Sequence, residues 1–326
     1  MLSRLLAVAA AALSAVAIPS ISVAAADFPD KPIRLIVPFT SGGGTDILAR
    51  QVAHDLSEAQ KWNVIVENRP GANGSVALGM LARAPADGYQ VVLALRENIV
   101  ITPLLNQEAK VFDALKDFTS IVHVADAPMV IVAGMDSKYD TIQKALEAAK
   151  AKPNALTFGT SGQGSMSHLL LALLGKDANA RMVHVPYKGS SPALSDMAGG
   201  HVDFVGGSIA SAKSFIDGSR ARPLAVSSLA RSSALPNVPT IAELGYKDFN
   251  VVTWYGLFGP AGMPPEIVDK LNRAVNEVLK TPKMQQVLRE QGMQTDIGSP
   301  ADFDKLFRAD YVDLAATLPG LNMAAQ

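Results

Sequence analysis

The 326 residues carry 29 Lys and Arg against 30 Asp and Glu, contain no Cys, and are apolar at 48% of positions. The balanced, dispersed charge excludes a basic nucleic-acid surface, and the missing thiols exclude disulfides, thiolate metal sites, a Cys nucleophile and a Cys-linked lipid anchor. A chain of this length without covalent staples must rest on ordinary apolar cores, which suits two lobes of typical size.

In chain order, the first segment reads as a secretory signal. Arg4 supplies a positive n-region, residues 5–18 an apolar run, and Ala24-Ala25-Ala26 a small-residue cleavage site. That run of fourteen residues is short for a bilayer, which takes roughly 20. Cleavage after Ala26 would remove Arg4 and leave 28 basic residues against 30 acidic, a net charge of −2 with His neutral. The mature chain is therefore expected to be exported, periplasmic and soluble.

Residues 33–37 form the first expected strand, and 46–59 a helix with Ile47, Leu48, Val52 and Leu56 on one face. Further strands are expected at 64–66, 89–95, 128–132, 156–159, 182–185, 202–205, 223–226 and 251–258. Helices are expected between them at 75–83, 141–151, 165–175, 192–199 and 208–217. After Pro264 only helices remain, at 265–280, 282–291 and 300–318, each opened by Pro as first-turn residues often are. This alternation is that of an α/β protein with largely parallel strands.

One motif occurs twice. Thr40-Ser41-Gly42-Gly43-Gly44-Thr45 follows the first strand, and Thr160-Ser161-Gly162-Gln163-Gly164-Ser165 follows another 120 residues later. Gly lets the backbone turn back and approach a ligand, and Thr45 or Ser165 can cap the helix that follows. Such a turn aims free N–H groups and the positive end of the helix dipole outward, which favours an anion, although a plain strand-to-helix turn needs the same residues. Two matched copies favour the anion site, since open α/β sheets bind ligands at the carboxyl ends of their strands.

Catalytic patterns fail one by one. Neither loop has the phosphate-loop spacing, and Ile47 and Ser167 stand where a dinucleotide fingerprint needs its third Gly. Ser161 follows a strand as a hydrolase nucleophile would, but Gln163 replaces the required Gly. The five His show no metal spacing, and His168 reads as a packed or capping residue rather than a ligand contact. No acid/base pair is evident among Asp196, Asp203 and Asp217. No catalytic residue, cofactor or metal is assigned.

Several stretches then identify a relative. Pro32-Ile33-Arg34-Leu35-Ile36-Val37-Pro38-Phe39 with the Gly triplet, Val66-Glu67-Asn68-Arg69-Pro70-Gly71-Ala72-Asn73-Gly74, Pro85-Ala86-Asp87-Gly88-Tyr89, the run from Gly159 to Leu169, Val185-Pro186-Tyr187-Lys188-Gly189, Val238-Pro239-Thr240 and Phe258-Gly259-Pro260-Ala261-Gly262-Met263-Pro264 occur in order along the mature chain. Together they resemble the Bug family, the periplasmic solute-binding components of tripartite tricarboxylate transporters. The resemblance implies a type II periplasmic-binding-protein fold: two α/β lobes with a ligand cleft between them and C-terminal helices returning to the first lobe. It implies a monomer that takes a small-molecule carboxylate and hands it to the membrane subunits of a secondary transporter, without catalysis or nucleic acid. The family's carboxylate-holding elements correspond to Phe39, Thr40, Ser41, Gly42, Gly43 and Thr45 in one lobe, and Thr160, Ser161, Gly162 and Ser165 in the other.

Two departures from the family pattern bear on the ligand. Arg96-Glu97-Asn98 replaces small residues after the strand ending at Leu95, and is either cleft chemistry or an exposed ion pair. Gly206-Gly207-Ser208 replaces an Asp with bulky neighbours, which argues against an ammonium-bearing ligand, leaves room for a larger or aromatic body, so that a dicarboxylate and an aromatic carboxylate are both open, and adds Ser208 to the candidate contacts. Trp254 and Tyr255 supply either an apolar wall or lobe packing, and Arg69 either braces its loop or touches ligand. The expected lobes are residues 27–126 plus 251–326, and 127–250. A sensory receptor for a membrane kinase would share almost all of these features; an exported hydrolase or lyase would need a catalytic set.

Overall fold

The computed structural model of the chain describes residues 28–42, 44–106, 111–321 and 323. The expected signal segment and Gly43 lie outside the described residues.

The chain opens with β1 (Ile33–Val37), in which every residue but Arg34 is buried, and α1 (Gly44–Gln60). Helix α1 buries Leu48, Ala49, Val52, Ala53 and Leu56 against the sheet, whereas Ile47 is 48% exposed. The expected face is thus rotated by one residue, because two alanines let α1 lie close to β1 and β2 (Val64–Asn68). After α2 (Ser75–Leu81) and β3 (Gln90–Leu95), the segment Glu97–Ile101 winds as one π-helical turn into the short α3 (Thr102–Leu105).

Strand β4 (Phe118–Gly134) is 17 residues long, although only 128–132 read as a strand from sequence. Its first half is interrupted by His123 and Asp126, which broke the apolar pattern, and it is bulged against β9 near Ser120/Val122 and His123/Ala125. Then follow α4 (Ile142–Ala151), β5 (Thr157–Thr160), α5 (Met166–Asp177), β6 (Val183–Pro186), α6 (Ser190–Ala198), β7 (Phe204–Ser208), α7 (Ile209–Asp217) and β8 (Ala221–Val226). The chain returns through β9 (Val252–Pro260) to α8 (Pro265–Leu279), α9 (Pro282–Glu290) and α10 (Pro300–Thr317). Helices α8 and α10 pack on the first half of the fold, whose apolar cluster includes Leu271, Val275 and Leu279.

The strand order β2-β1-β3-β9-β4-β7-β5-β6 makes one continuous path with β4 as the shared strand. Residues 118–128 of β4 pair with β9, and 129–134 pair with β7 and β8. Two α/β lobes are thereby joined by β4 and by the stretch from Ser227 to Val252. Ser227 ties these crossings together: its N–H donates to Met129 O at 3.0 Å, its hydroxyl accepts from Met129 N at 2.8 Å and donates to the Val251 carbonyl, and Val251 N donates to Ser227 O at 2.9 Å.

Candidate functional site

Strand register fixes where the loops meet. Leu95 at the end of β3 lies level with Tyr255 and, through it, with Ala125 of β4, whereas Ser208 at the end of β7 lies level with Met129. Strand β1 runs parallel to β3, and β5 parallel to β7. The carboxyl ends of all four therefore point at one stretch of β4 from Ala125 to Met129, whose four steps span about 13 Å at 3.3 Å per residue. A gap of that size between two sets of helix N-termini suits a small anionic ligand.

In the first lobe, the loop after β1 is braced from below. Asp46, buried in the first turn of α1, accepts from Gly42 N at 2.9 Å, from Arg50 Nε at 3.0 Å and from Asn68 Nδ2 at 2.9 Å; Asn68 also holds the Phe39 carbonyl at 3.0 Å. Burial alone would raise the Asp46 pKa, but these hydrogen bonds and the Arg50 charge bring it down to about 2. The Gly42 amide is thus occupied by the chain's own carboxylate. Thr40, Ser41 and Gly42 are exposed and Phe39 is half-buried, while Thr45 turns inward and hydrogen-bonds the Tyr255 hydroxyl instead of capping α1. Burial, then the nearby Glu97 carboxyl, push the Tyr255 phenol up.

In the second lobe, Gly162 and Gly164 take φ of 131° and 72°, which only Gly adopts readily. Ser165 caps α5, as its type and position suggested, by accepting from His168 N. Ser161 is half-buried, and both its N–H (2.9 Å) and its hydroxyl (3.1 Å) meet Ser167 Oγ. Thr160 is fully buried, with Oγ1 at 2.7 Å from His184 Nε2, so its hydroxyl faces the lobe interior. His184 stacks on His168 with ring centroids 3.9 Å apart, and His168 Nδ1 accepts from Gly164 N at 3.2 Å. Burial, then the neighbouring His184, pull His168 down to about 4, and burial lowers His184 as well. Both rings are therefore neutral near pH 7 and act as a rigid support behind the loop. Ser208 caps α7 by accepting from Ser211 N at 3.2 Å, which places the start of that helix at the same gap.

Arg96 and Glu97 separate. The Arg96 guanidinium forms a two-pronged ion pair with Asp310 of α10, with Nε at 2.7 Å from Oδ2, and donates to the Val252 carbonyl at 3.0 Å. Trp254 Nε1 donates to the same carboxylate at 3.0 Å, and the Trp254 ring packs among Phe258, Phe303 and Phe307. Arg96 is thus engaged by Asp310 and Val252 in a largely buried pair, not an exposed one, and the Trp254 ring is packed. Arg69 pairs with Glu67 at 3.0 Å. Glu97 turns the other way, onto Thr253 and towards Tyr255.

The supporting residues Asp46, Asn68, Ser167 and His184 were not legible as site residues, although an acid directly after a Gly-rich turn is a signal for such a brace. Among the described residues one group resembles a metal site, His54, Asp55 and Glu58 on α1, and there Lys283 Nζ lies 2.9 Å from Asp55 and 3.6 Å from Glu58. No helix among the described residues is long and apolar enough to cross a membrane.

Comparison with known proteins gives a consistent result. Residues 48–316 match the model of the tripartite tricarboxylate transporter family receptor. The chain is 33% identical over 311 residues to the protein BugT of Bordetella pertussis, covering 95% of each. Its fold resembles Rpa4515 of R. palustris, solved with adipate (TM-score 0.83, 32% identity, 90% of this chain and 99% of that one). It also resembles MatC of Rhodopseudomonas palustris, solved with bound malate (TM-score 0.79, 25% identity, 89% and 100%).

Proposed function

This chain belongs to the tripartite tricarboxylate transporter receptor family of solute-binding proteins, and on that premise we propose that it captures a small dicarboxylate between its lobes and releases it unchanged. One lobe comprises residues 27–126 plus 251–326 and the other 127–250. The protein works as a periplasmic monomer, after cleavage near Ala26, and delivers its ligand to the membrane subunits of a secondary transporter. Closure about β4 and the segment joining β8 to β9 buries the ligand and creates the surface that those subunits read.

The carrying observation is the convergence of the carboxyl ends of β1, β3, β5 and β7 on one stretch of β4. Thr40, Ser41 and the backbone around them hold the ligand from one side, with Gly42 contributing shape because its amide is spent on Asp46. Ser161, Gly162, the first-turn amides of α5 beyond Ser165, and Ser208 hold it from the other. The backbone at Thr160 contributes shape, since its hydroxyl is spent on His184. Relatives solved with adipate and with malate support a dicarboxylate.

A thermal-shift screen of mono-, di- and tricarboxylates tests the reading, because a ligand at 100-fold its Kd stabilises by about 2.7 kcal/mol. Dicarboxylates should give the largest shifts, and the best of them should be recovered intact after prolonged incubation. Conversion of the ligand would favour an exported hydrolase or lyase, and no shift from any carboxylate would end the proposal.

A further inference from the structure

With Arg96 committed to Asp310, the residue left at the end of β3 is an acid. Glu97 opens the π-helical turn directly beyond that strand, and its Oε2 accepts from Thr253 Oγ1 at 2.8 Å. Thr253 pairs with Ala127, midway between the levels at which β3 and β7 end. The half-buried Glu97 carboxyl therefore stands over the gap between the lobes, where the ligand is proposed to sit.

Among the described residues no cation is paired with it, and Arg96 acts on it only through the charge it holds against Asp310. On its own segment, Arg96 is turned to Asp310 of α10 beside Trp254. On β9 it meets the Thr253 hydroxyl and, nearby, the Tyr255 phenol, which is bonded to Thr45 of α1. Thr253 and Tyr255 are buried. A dicarboxylate entering this gap thus meets a third carboxyl whose hydrogen-bond partners are the Thr253 hydroxyl and its own backbone N–H. Like charges brought together in a partly desolvated site do not both persist, so one carboxyl takes a proton. A neutral acid facing a carboxylate then gives a short, charge-assisted O–H···O hydrogen bond.

Resting on the function proposed above, we infer that Glu97 engages the ligand as the neutral carboxylic acid, donating a hydrogen bond to one ligand carboxylate, so that capture takes up one proton from solvent. The proton resides on Glu97 and the ligand leaves as the same dianion that arrived. Burial already pushes the Glu97 pKa up, against the lowering pull of its own backbone N–H, the Thr253 hydrogen bond and the Arg96 charge. Ligand charge beside it would push in the same direction. The same acid in its ionised form would repel ligand, which makes release easier as the pH rises.

The test is titration calorimetry with malate or adipate, whichever gives the larger thermal shift, between pH 6 and pH 8 in two buffers of different ionisation enthalpy. Wild type should take up close to one proton per ligand where Glu97 is ionised in the free protein. Its affinity should there fall towards tenfold per pH unit. Glu97→Gln keeps an N–H donor in place but cannot titrate, so its affinity should no longer change with pH and its proton uptake should vanish. Equal pH slopes for the two proteins, or no proton uptake by wild type, would overturn the inference. So would loss of binding by Glu97→Gln at every pH, which would mean that an ionised Glu97 accepts from a ligand donor. The uptake measurement needs only wild type, so a poorly folded variant would not mask the answer. If neither dicarboxylate binds wild type at any pH, the proposed function itself fails, and this inference with it.

Discussion

Arg96→Ala should be a stability mutation, not a binding mutation. The side chains of Arg96 and Asp310 are only 15% and 13% exposed, and the guanidinium meets both carboxylate oxygens and the Val252 carbonyl. Truncation leaves Asp310 with Trp254 Nε1 as its remaining described partner and removes the contact to Val252. Breaking a fully buried pair by removing one partner costs about 3–5 kcal/mol, and residual exposure brings the expectation here to about 3 kcal/mol. Asp310→Ala should cost about as much. The double variant should recover part of the loss, because it leaves no uncompensated charge, and chemical denaturation of all four proteins measures the coupling. Dicarboxylate affinity of the folded Arg96→Ala protein should change by less than threefold, about 0.6 kcal/mol. Unchanged stability with a tenfold or greater loss of dicarboxylate affinity would refute the structural role and restore Arg96 to the ligand.

Ser161→Ala should weaken ligand binding by roughly 0.5–1.5 kcal/mol, the usual net worth of a neutral hydrogen bond, as read by calorimetry. Gly162→Ala should cost about 1–3 kcal/mol in denaturant unfolding, because its φ is 131° and a Cβ would stand 3.2 Å from the Tyr187 carbonyl oxygen. The His168 pair predicts an acid limb. His168 titrates near 6.5 in an unfolded chain and at about 4 in the fold, so protonation favours unfolding. Its contribution is complete above pH 6.5 and is lost as pH falls from there towards 4, by up to about 3 kcal/mol. His168→Gln should flatten that limb, and an unchanged limb would place the titration elsewhere.

The regular elements were legible because their physics is local. Strands β1, β3, β5 and β9 and helices α8 to α10 fall within a few residues of their expected places, since apolar periodicity and opening prolines define them. The first half of β4 was hidden because its stability comes from pairing with β9, a partner more than 120 residues away, while His123 and Asp126 spoil its pattern. The repeated Thr-Ser-Gly turns were legible as turns at the carboxyl ends of β1 and β5, but the orientation of their side chains was not. Thr45, Thr160 and Ser165 are all hydroxyl residues, yet they turn respectively to Tyr255, to His184 and to their own helix. Tertiary neighbours decide that choice. Arg96 illustrates the same limit, because Asp310 is 214 residues distant in sequence.

The most direct test of the account is a crystal structure of the protein with the dicarboxylate that stabilises it most. Ligand is expected between residues 39–45 and 160–165, with one carboxylate within hydrogen-bond reach of Ser161 and the first turn of α5 and the other beside Glu97. Ligand seated instead in the separate cavity of about 730 Å³ lined by Lys176, Arg181 and Asn154, with the gap over β4 left to water, would contradict it.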